Sequence, residues 1–223
     1  MATSKKRHIP LLSLFIASLI VGVVGAVPCV TTNTANVNCN TLNDTSIYTA
    51  VDAWIADPTT AMIVWGNVSD WYTTGVTTMN KLFFKKQFDD DIAGWDTSNV
   101  VDLGYVFSKS SFNKPIASWV ISSVTNLGYA FQKSTNFDQP LAAWDTSSVT
   151  DMNSAFWGSP FNQSISNWNT SSCLNMRYMF SSALYTHPLD WDVSRVTDFG
   201  YMFYRSPFNQ PIDSWDVGRV ENM

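Results

Sequence analysis

Acyl-transfer chemistry of the Ser–His–Asp or Cys–His kind would have to run through His187, because the only other histidine, His8, lies in a basic leader. Nothing in the residues around His187 supports such a site. Its position in the repeat described below also holds Gln139, Gln163 and Gln210, so it reads as a surface substitution. Cys173 stands in a column of valines, the place of a buried, inert thiol. Asp96, Asp145, Asp192 and Asp216 each follow a recurring Trp, with Asn169 interrupting the series. Carboxylates in such a column offer the oxygens that a hard cation such as Ca2+ takes. Stacked carboxylates would also repel, and Asp or Asn at turns and caps commonly bonds nearby backbone N–H groups. A second column of Asp89, Asn113, Asp138, Asn162 and Asn209 invites the same side-chain turn reading. Tyr105, Tyr129, Tyr178 and Tyr201 recur ten residues after Trp. They make either an aromatic stripe for protein or carbohydrate contact, or the packing face of a short helix. The expectation is a non-enzyme with no catalytic residue, no metal ligand and no cofactor.

Composition narrows the classes further. The 223 residues carry 13 Lys and Arg against 18 Asp and Glu, a formal charge of −5. Only 14% are charged, where about 25% is usual for a soluble domain. Neutral Asn, Ser, Thr and Gln must therefore cover most of the surface. The acidic balance argues against a nucleic-acid partner, which needs clustered Lys and Arg. Ten Trp in so weakly charged a chain demand a structural explanation.

The first residues read as a leader. Lys5, Lys6, Arg7 and His8 are followed by an uncharged, mostly apolar run from Leu11 to Val27. Val24-Gly25-Ala26 fits cleavage after Ala26, the pattern of a secretory signal peptide. The alternative is a retained signal anchor over residues 9–27, although about 20 apolar residues are needed to span a bilayer. Loss of Lys5, Lys6 and Arg7 would take the charge from −5 to −8. Cys29 and Cys39 follow the cut and are expected to pair in an oxidising compartment. N-glycosylation sequons stand at Asn43, Asn67, Asn162 and Asn169. Packing of the Asx column favours Asn43 and Asn67 as acceptors.

The organisation is set by a repeat. Trp71, Trp95, Trp119, Trp144, Trp168, Trp191 and Trp215 lie 23–25 residues apart. Phe88, Phe112, Phe137, Phe161 and Phe208 stand seven before Trp, with Val64 in the first unit and Tyr185 in a unit one residue short. Val68, Ile92, Ile116, Leu141, Ile165, Leu189 and Ile212 precede it more closely. Val76, Val100, Val124, Val149, Cys173, Val196 and Val220 stand five after Trp. Met79, Leu103, Leu127, Met152, Met176, Phe199 and Met223 stand eight after, and Phe83, Phe107, Phe131, Phe156, Phe180 and Phe203 twelve after.

Apolar residues at relative positions 0, 3 and 7 share one face of a helix, here two turns long and weakened by Gly104, Gly128 and Gly200. The other half of each unit, such as residues 208–215, reads as a short strand after a turn. The expected fold class is α/β, a leucine-rich-repeat-like solenoid of 24-residue strand-plus-short-helix units. Such units bury their core only by stacking, and seven strands at about 4.8 Å give a rod of roughly 30 Å. Ile47, Ala50, Val51, Trp54 and Ile55 mark an amphipathic N-terminal capping helix that begins after Asp44 or Thr45 and stops at Asp57-Pro58. The expected parts are a leader over 1–26, a Cys-containing linker over 27–44, the cap and lead-in over 45–63, and the array over 64–223. The chain stops in the Met column of the seventh unit, so a truncated array is expected.

FNQPIDSWDVGRVENM from Phe208, FDQPLAAWDTSSVTDM from Phe137 and LDWDVSRVTDFGYMF from Leu189 resemble BspA-type leucine-rich-repeat surface proteins. More narrowly, they resemble the roughly 25-residue repeats of mycoplasma surface lipoproteins. The segment from Ala50 to Trp71 is similar to the lead-in that often precedes such repeats. The likeness covers residues 45–223, and Val120 in place of the usual Asp is a departure. The resemblance implies a surface solenoid with an adhesion or protein-binding role and no catalytic residues.

The functional expectation is a secreted or surface-anchored module that binds protein or glycan through a repeated face. The alternative is a structural coat or wall glycoprotein without a defined ligand. Membrane contact would come only through an uncleaved leader or through sequence beyond Met223. A ligand-binding array should vary its exposed columns from unit to unit, whereas a coat protein should keep them uniform.

Overall fold

The computed structural model describes residues 41–223. Residues 1–40, including the basic leader, the cut after Ala26, residues 9–27 and the Cys29–Cys39 pair, lie outside the described residues.

Two α-helices open the described chain, α1 (Ser46–Ala56) and α2 (Pro58–Trp65), followed by a 3-10 turn at Val68–Asp70. Thr45 precedes α1 without a side-chain cap. The capping oxygen comes instead from Asn43 Oδ1, which accepts the Thr45 and Ser46 N–H groups. Asp57 ends α1 and at once begins α2, its carboxylate accepting Thr59 and Thr60 N–H with Pro58 in the first turn. The Asp-Pro pair is thus both a stop and a start. The buried face of α1 (Ile47, Ala50, Val51, Trp54) covers the first rung of the stack. Trp54 meets the edge of Trp71 at 6.1 Å, and its indole N–H donates to Asp90. The Tyr48 hydroxyl donates to the Asn80 carbonyl at 2.7 Å, while the Asp44 carboxylate accepts Thr77 and Thr78 N–H.

Beyond Trp71 the expected α/β solenoid does not form. Among the described residues there is no strand of a sheet, and the only helical elements are α1, α2 and the short turn. The chain is not a leucine-rich-repeat α/β structure. It stacks coils of irregular backbone instead. Successive rungs meet at single parallel bridges, Thr78 to Asp102, Asp102 to Asn126, and onward through Asp151, Asn175 and Asp198 to Asn222.

The segments expected to be helical show why. In residues 79–86, alternate N–H groups serve two ladders. Leu82, Phe84 and Lys86 donate to the carbonyl three residues back, whereas Met79, Lys81, Phe83 and Lys85 donate to the next rung. Each rung repeats this with two residues in the left-handed region, such as Tyr105 (φ 57) and Lys109 (φ 58). Left-handed residues every fourth position cannot belong to an α-helix. Every N–H from Met79 to Lys86 except that of Asn80 has a backbone acceptor, and Asn80 N–H bonds the Thr78 hydroxyl. The expected strands fail for a related reason. Trp N–H donates back to the Ile-column carbonyl in five rungs (as Trp95 to Ile92), and Val-column N–H donates three back (as Val100 to Thr97). These turns interrupt any extended run, so the two cross-rung bonds that flank each bridge, as Val101 N–H to Thr77 and Met79 N–H to Asp102, do not grow into a strand.

The core is a set of aromatic ladders. Phe83, Phe107, Phe131, Phe156, Phe180 and Phe203 stack rung on rung, with near-parallel planes and centroids 5.3–6.0 Å apart. The column that contains Phe112 and Phe137 packs beside it, each of its rings 4.1–4.5 Å from the partner in its own rung. Offset stacks of this kind add to area burial. The Trp column is buried from Trp71 to Trp191. Each indole from Trp95 onward donates its N–H to an Ile-column carbonyl of the preceding rung, for example Trp144 to Ile116 at 3.0 Å. Buried Thr73, Thr97, Thr146 and Thr170 tie the other direction, donating to a carbonyl of the next rung.

Tyr185 is the exception in its Phe column. Its hydroxyl is buried without a hydrogen-bond partner, and burial pushes its ionisation up to about 12. An unpaired buried hydroxyl costs about 1–3 kcal/mol. Tyr185→Phe is therefore expected to raise unfolding free energy by about 1 kcal/mol, measured by urea unfolding. A loss of stability would mean that the hydroxyl is satisfied.

Candidate functional site

The residues singled out by sequence spread over the stack and do not converge. Cys173 is buried, its thiol pushed up to about 12 by desolvation, with the S–H directed at backbone carbonyls. His187 sits half-buried against the edge of Tyr185, its Nε2 2.8 Å from the Asn162 carbonyl of the previous rung. That is the cross-rung role Gln210 plays toward the Thr186 carbonyl.

The Asp column after Trp serves turns. Asp96, Asp145 and Asp192 each accept the N–H of the Ser two residues on. The Ser hydroxyls and N–H groups hold all three carboxyls below the usual range. No cluster of three metal-ligating side chains occurs among the described residues. The column containing Asp89 is a side-chain ladder. Asn113 N–H donates to Asp89, Asp138 N–H to Asn113, Asn162 N–H to Asp138 and Thr186 N–H to Asn162.

The sequons differ in their surroundings. Asn43, Asn67 and Asn169 are exposed, and each side-chain carbonyl accepts the backbone N–H two residues on. Asn162 is half-buried within its ladder. A shallow cleft of about 390 Å3 lies beside the first rung, lined by Asp70, Trp71, Tyr72 and Asp96 among others. Its carboxylates already accept from Ser69 and Ser98 hydroxyls.

One face stands apart. The two left-handed residues of each rung form parallel columns along the stack. The first holds Lys81, Tyr105, Tyr129, Ser154, Tyr178 and Tyr201; the second holds Lys85, Lys109, Lys133, Gly158, Ser182 and Arg205. Eleven of these twelve residues carry a side chain, with φ between 50 and 63 degrees. A left-handed residue other than Gly costs about 1–2 kcal/mol. Tyr105 and Tyr129 stack at 4.4 Å with planes 3 degrees apart, and Tyr178 and Tyr201 at 5.1 Å. Lys81 lies over Tyr105, Lys85 and Lys109 over Phe84, Lys133 over Trp157, and Arg205 over Tyr204. The Tyr column was visible in the sequence as an aromatic stripe. The basic column was missed, although it recurs fourteen residues after Trp on the same comb.

Strain at this face is testable at Ser182, which is exposed and left-handed at φ 55. Ser182→Gly is expected to gain about 0.5–1 kcal/mol and Ser182→Val to lose at least as much. Thermal unfolding of the two variants checks the sign. Equal stabilities would remove the strain.

Comparison with known proteins gives one family. A family described as "Mycoplasma protein of unknown function, DUF285" matches residues 57–160 and 127–223. No curated protein and no solved structure matches the chain. The match supports the mycoplasma-type part of the sequence resemblance and does not extend to a BspA-type leucine-rich repeat.

Proposed function

We propose that this chain, which belongs to the DUF285 family, is an extracellular or cell-surface repeat module that binds another macromolecule through its turn face. One observation carries the reading. Eleven left-handed positions keep Tyr, Lys, Ser or Arg where Gly would relieve backbone strain. Strained backbone clusters at binding and active sites. The same columns run the length of the stack, so a ligand would be held by several weak contacts at once. The second column changes from Lys to Gly, Ser and Arg along the stack. That variation favours a ligand over a uniform coat protein. The leader supports export.

The test is saturable binding of the mature chain to a panel of immobilised extracellular proteins and neutral and acidic glycans. The expected result is binding to at least one class, abolished in Tyr105→Ser/Tyr129→Ser, since Ser already occupies this position at Ser154. Binding to no member, or binding indifferent to the double variant, would overturn the proposal. Intact mass of the secreted chain checks the cut after Ala26, and a retained leader would move the reading to a membrane anchor.

A further inference from the structure

We infer that Tyr105 and Tyr129 form a modification site, where peroxide acting through a haem peroxidase joins the two stacked rings into a dityrosine that staples adjacent rungs. The inference is independent of the binding reading above, because the bond forms within one chain and needs no ligand.

Ring geometry is the first argument. The two rings lie on consecutive rungs with centroids 4.4 Å apart and planes 3 degrees apart. Of the eight tyrosines, only Tyr178 and Tyr201 form a second parallel pair, and it is wider at 5.1 Å. Tyr204 meets Tyr201 edge-on, Tyr185 is buried among phenylalanines, and the Tyr48 hydroxyl is engaged by a backbone carbonyl. Burial first, and then the neighbouring Tyr129 phenol, raise the ionisation of Tyr105, so the two hydroxyls are close neighbours. The ring carbons beside those hydroxyls are the ones that couple.

Rigidity is the second argument. Tyr105 N–H donates to the Gly128 carbonyl and Tyr129 N–H to the Asn153 carbonyl, each bond reaching the next rung. Both residues are held left-handed, at φ 57 and φ 61. The rings therefore cannot drift apart without breaking the ladder. Groups held in a near-attack arrangement react as though at very high concentration.

Access is the third. Both tyrosines are half-buried and open to an oxidant, whereas the Trp column from Trp71 to Trp191 is closed. Cys173, the one free thiol among the described residues, is buried and does not compete.

The step balances. The peroxidase takes one electron and one proton from each phenol. The two phenoxyl radicals form one carbon–carbon bond between positions ortho to the hydroxyls. Each coupled carbon then passes its hydrogen to its phenol oxygen. The chain loses two hydrogens, and one peroxide is reduced to two waters.

The experiment treats the mature chain, folded and dilute, with hydrogen peroxide and a haem peroxidase. Trypsin does not cut before proline, so Lys114 survives and residues 87–109 and 110–133 are released as peptides with one tyrosine each. The expected product is a monomer two hydrogens lighter, with dityrosine fluorescence and these two peptides joined through Tyr105 and Tyr129. The linked pair should exceed that from the chain oxidised in urea by about tenfold or more. The linked monomer should unfold at a higher urea midpoint, as a chain cross-link requires. Tyr105→Phe and Tyr129→Phe should each abolish the linked pair, with their unfolding midpoints checking that the fold is kept. Tyr178→Phe should leave it in place. Absence of the linked pair from the folded monomer, an equal yield in urea, or cross-links only between molecules overturns the inference. Linkage of Tyr178 to Tyr201 alone overturns it as well.

Discussion

Trp144→Ala is expected to lower unfolding free energy by at least the upper part of the usual range for large core truncations, about 3–5 kcal/mol. Trp144 is buried between Phe131, 6.0 Å away, and Trp168, stacked at 6.2 Å. Its indole N–H holds the Ile116 carbonyl of the preceding rung. Truncation removes ring area from two ladders and leaves the Ile116 carbonyl with only the Trp119 N–H as donor, the loss of one hydrogen bond of about 1 kcal/mol. The position matters as much as the side chain. Rungs contact only their neighbours, so a weak rung in the middle uncouples the two halves of an array. Urea unfolding should show a lower midpoint and a broader transition. Trp144→Phe separates the terms, since it keeps a stacked ring and loses only the indole donor. Trp215→Ala is the comparison, because Trp215 is only partly buried. It should lose less than half as much. A loss of less than about 1 kcal/mol at Trp144 would mean that the Trp column does not hold the rungs together.

The same residue shows how far the sequence could be read. A comb of seven Trp specifies a repeat, a stacking direction and a buried column, because a 24-residue unit cannot bury that area alone. Those are statements about apolar surface, and apolar spacing records them. The local backbone was another matter. Positions 0, 3 and 7 fit one helix face, yet they fit equally well a run of turns whose odd residues bond the next rung, as in Met79 to Lys85. What separates the two is φ at Tyr105 and Lys109, and neither residue type announces a left-handed backbone. A Gly there would have been a signal. The expected strand half failed similarly, since β-rich composition does not reveal that Trp and Val N–H groups turn back on their own rung. The turn face was half legible. Tyr recurs ten after Trp in four units, whereas the position fourteen after Trp holds Lys in only three units before it changes to Gly158, Ser182 and Arg205, so it carries no single residue type along the comb. The leader, the disulfide candidates and the cut lie outside the described residues, so the fold adds nothing to them.

Asn126→Asp is the second large prediction, and it tests an order that the stack displays at its bridges. Asp102, Asn126, Asp151, Asn175, Asp198 and Asn222 alternate acid and amide rung by rung. The amides are donors where a second carboxylate would repel. Asn126 Nδ2 donates to Asp102 at 2.8 Å, and Asn222 Nδ2 to Asp198 at 3.0 Å. Asn126 Oδ1 also accepts Gly128 N–H, a bond that an aspartate keeps. The substitution therefore changes little but the donor and the charge. It sets three carboxylates on consecutive rungs about 4.8 Å apart, beside Asp151, whose carboxyl burial already raises above its usual range. Like charges at that distance repel by about 3 kcal/mol per pair at an effective dielectric constant of about 20. Proton uptake by the cluster limits the total, so the expected loss at pH 7 is about 2–4 kcal/mol. The pH dependence has a definite sign. Repulsion raises the folded-state ionisation of the cluster above the unfolded value near 4. Between those two values the folded state binds more protons, so stability falls as pH rises. The deficit of the variant relative to the unmodified chain should be largest at pH 7 and shrink toward about pH 4. Unfolding free energies of both proteins across this window give the difference directly. The triple change Asp102→Asn/Asn126→Asp/Asp151→Asn leaves one carboxylate flanked by amides on both neighbouring rungs, and it should recover most of the loss. A deficit independent of pH, or one that the triple change leaves in place, would show that shape rather than charge alternation orders this column.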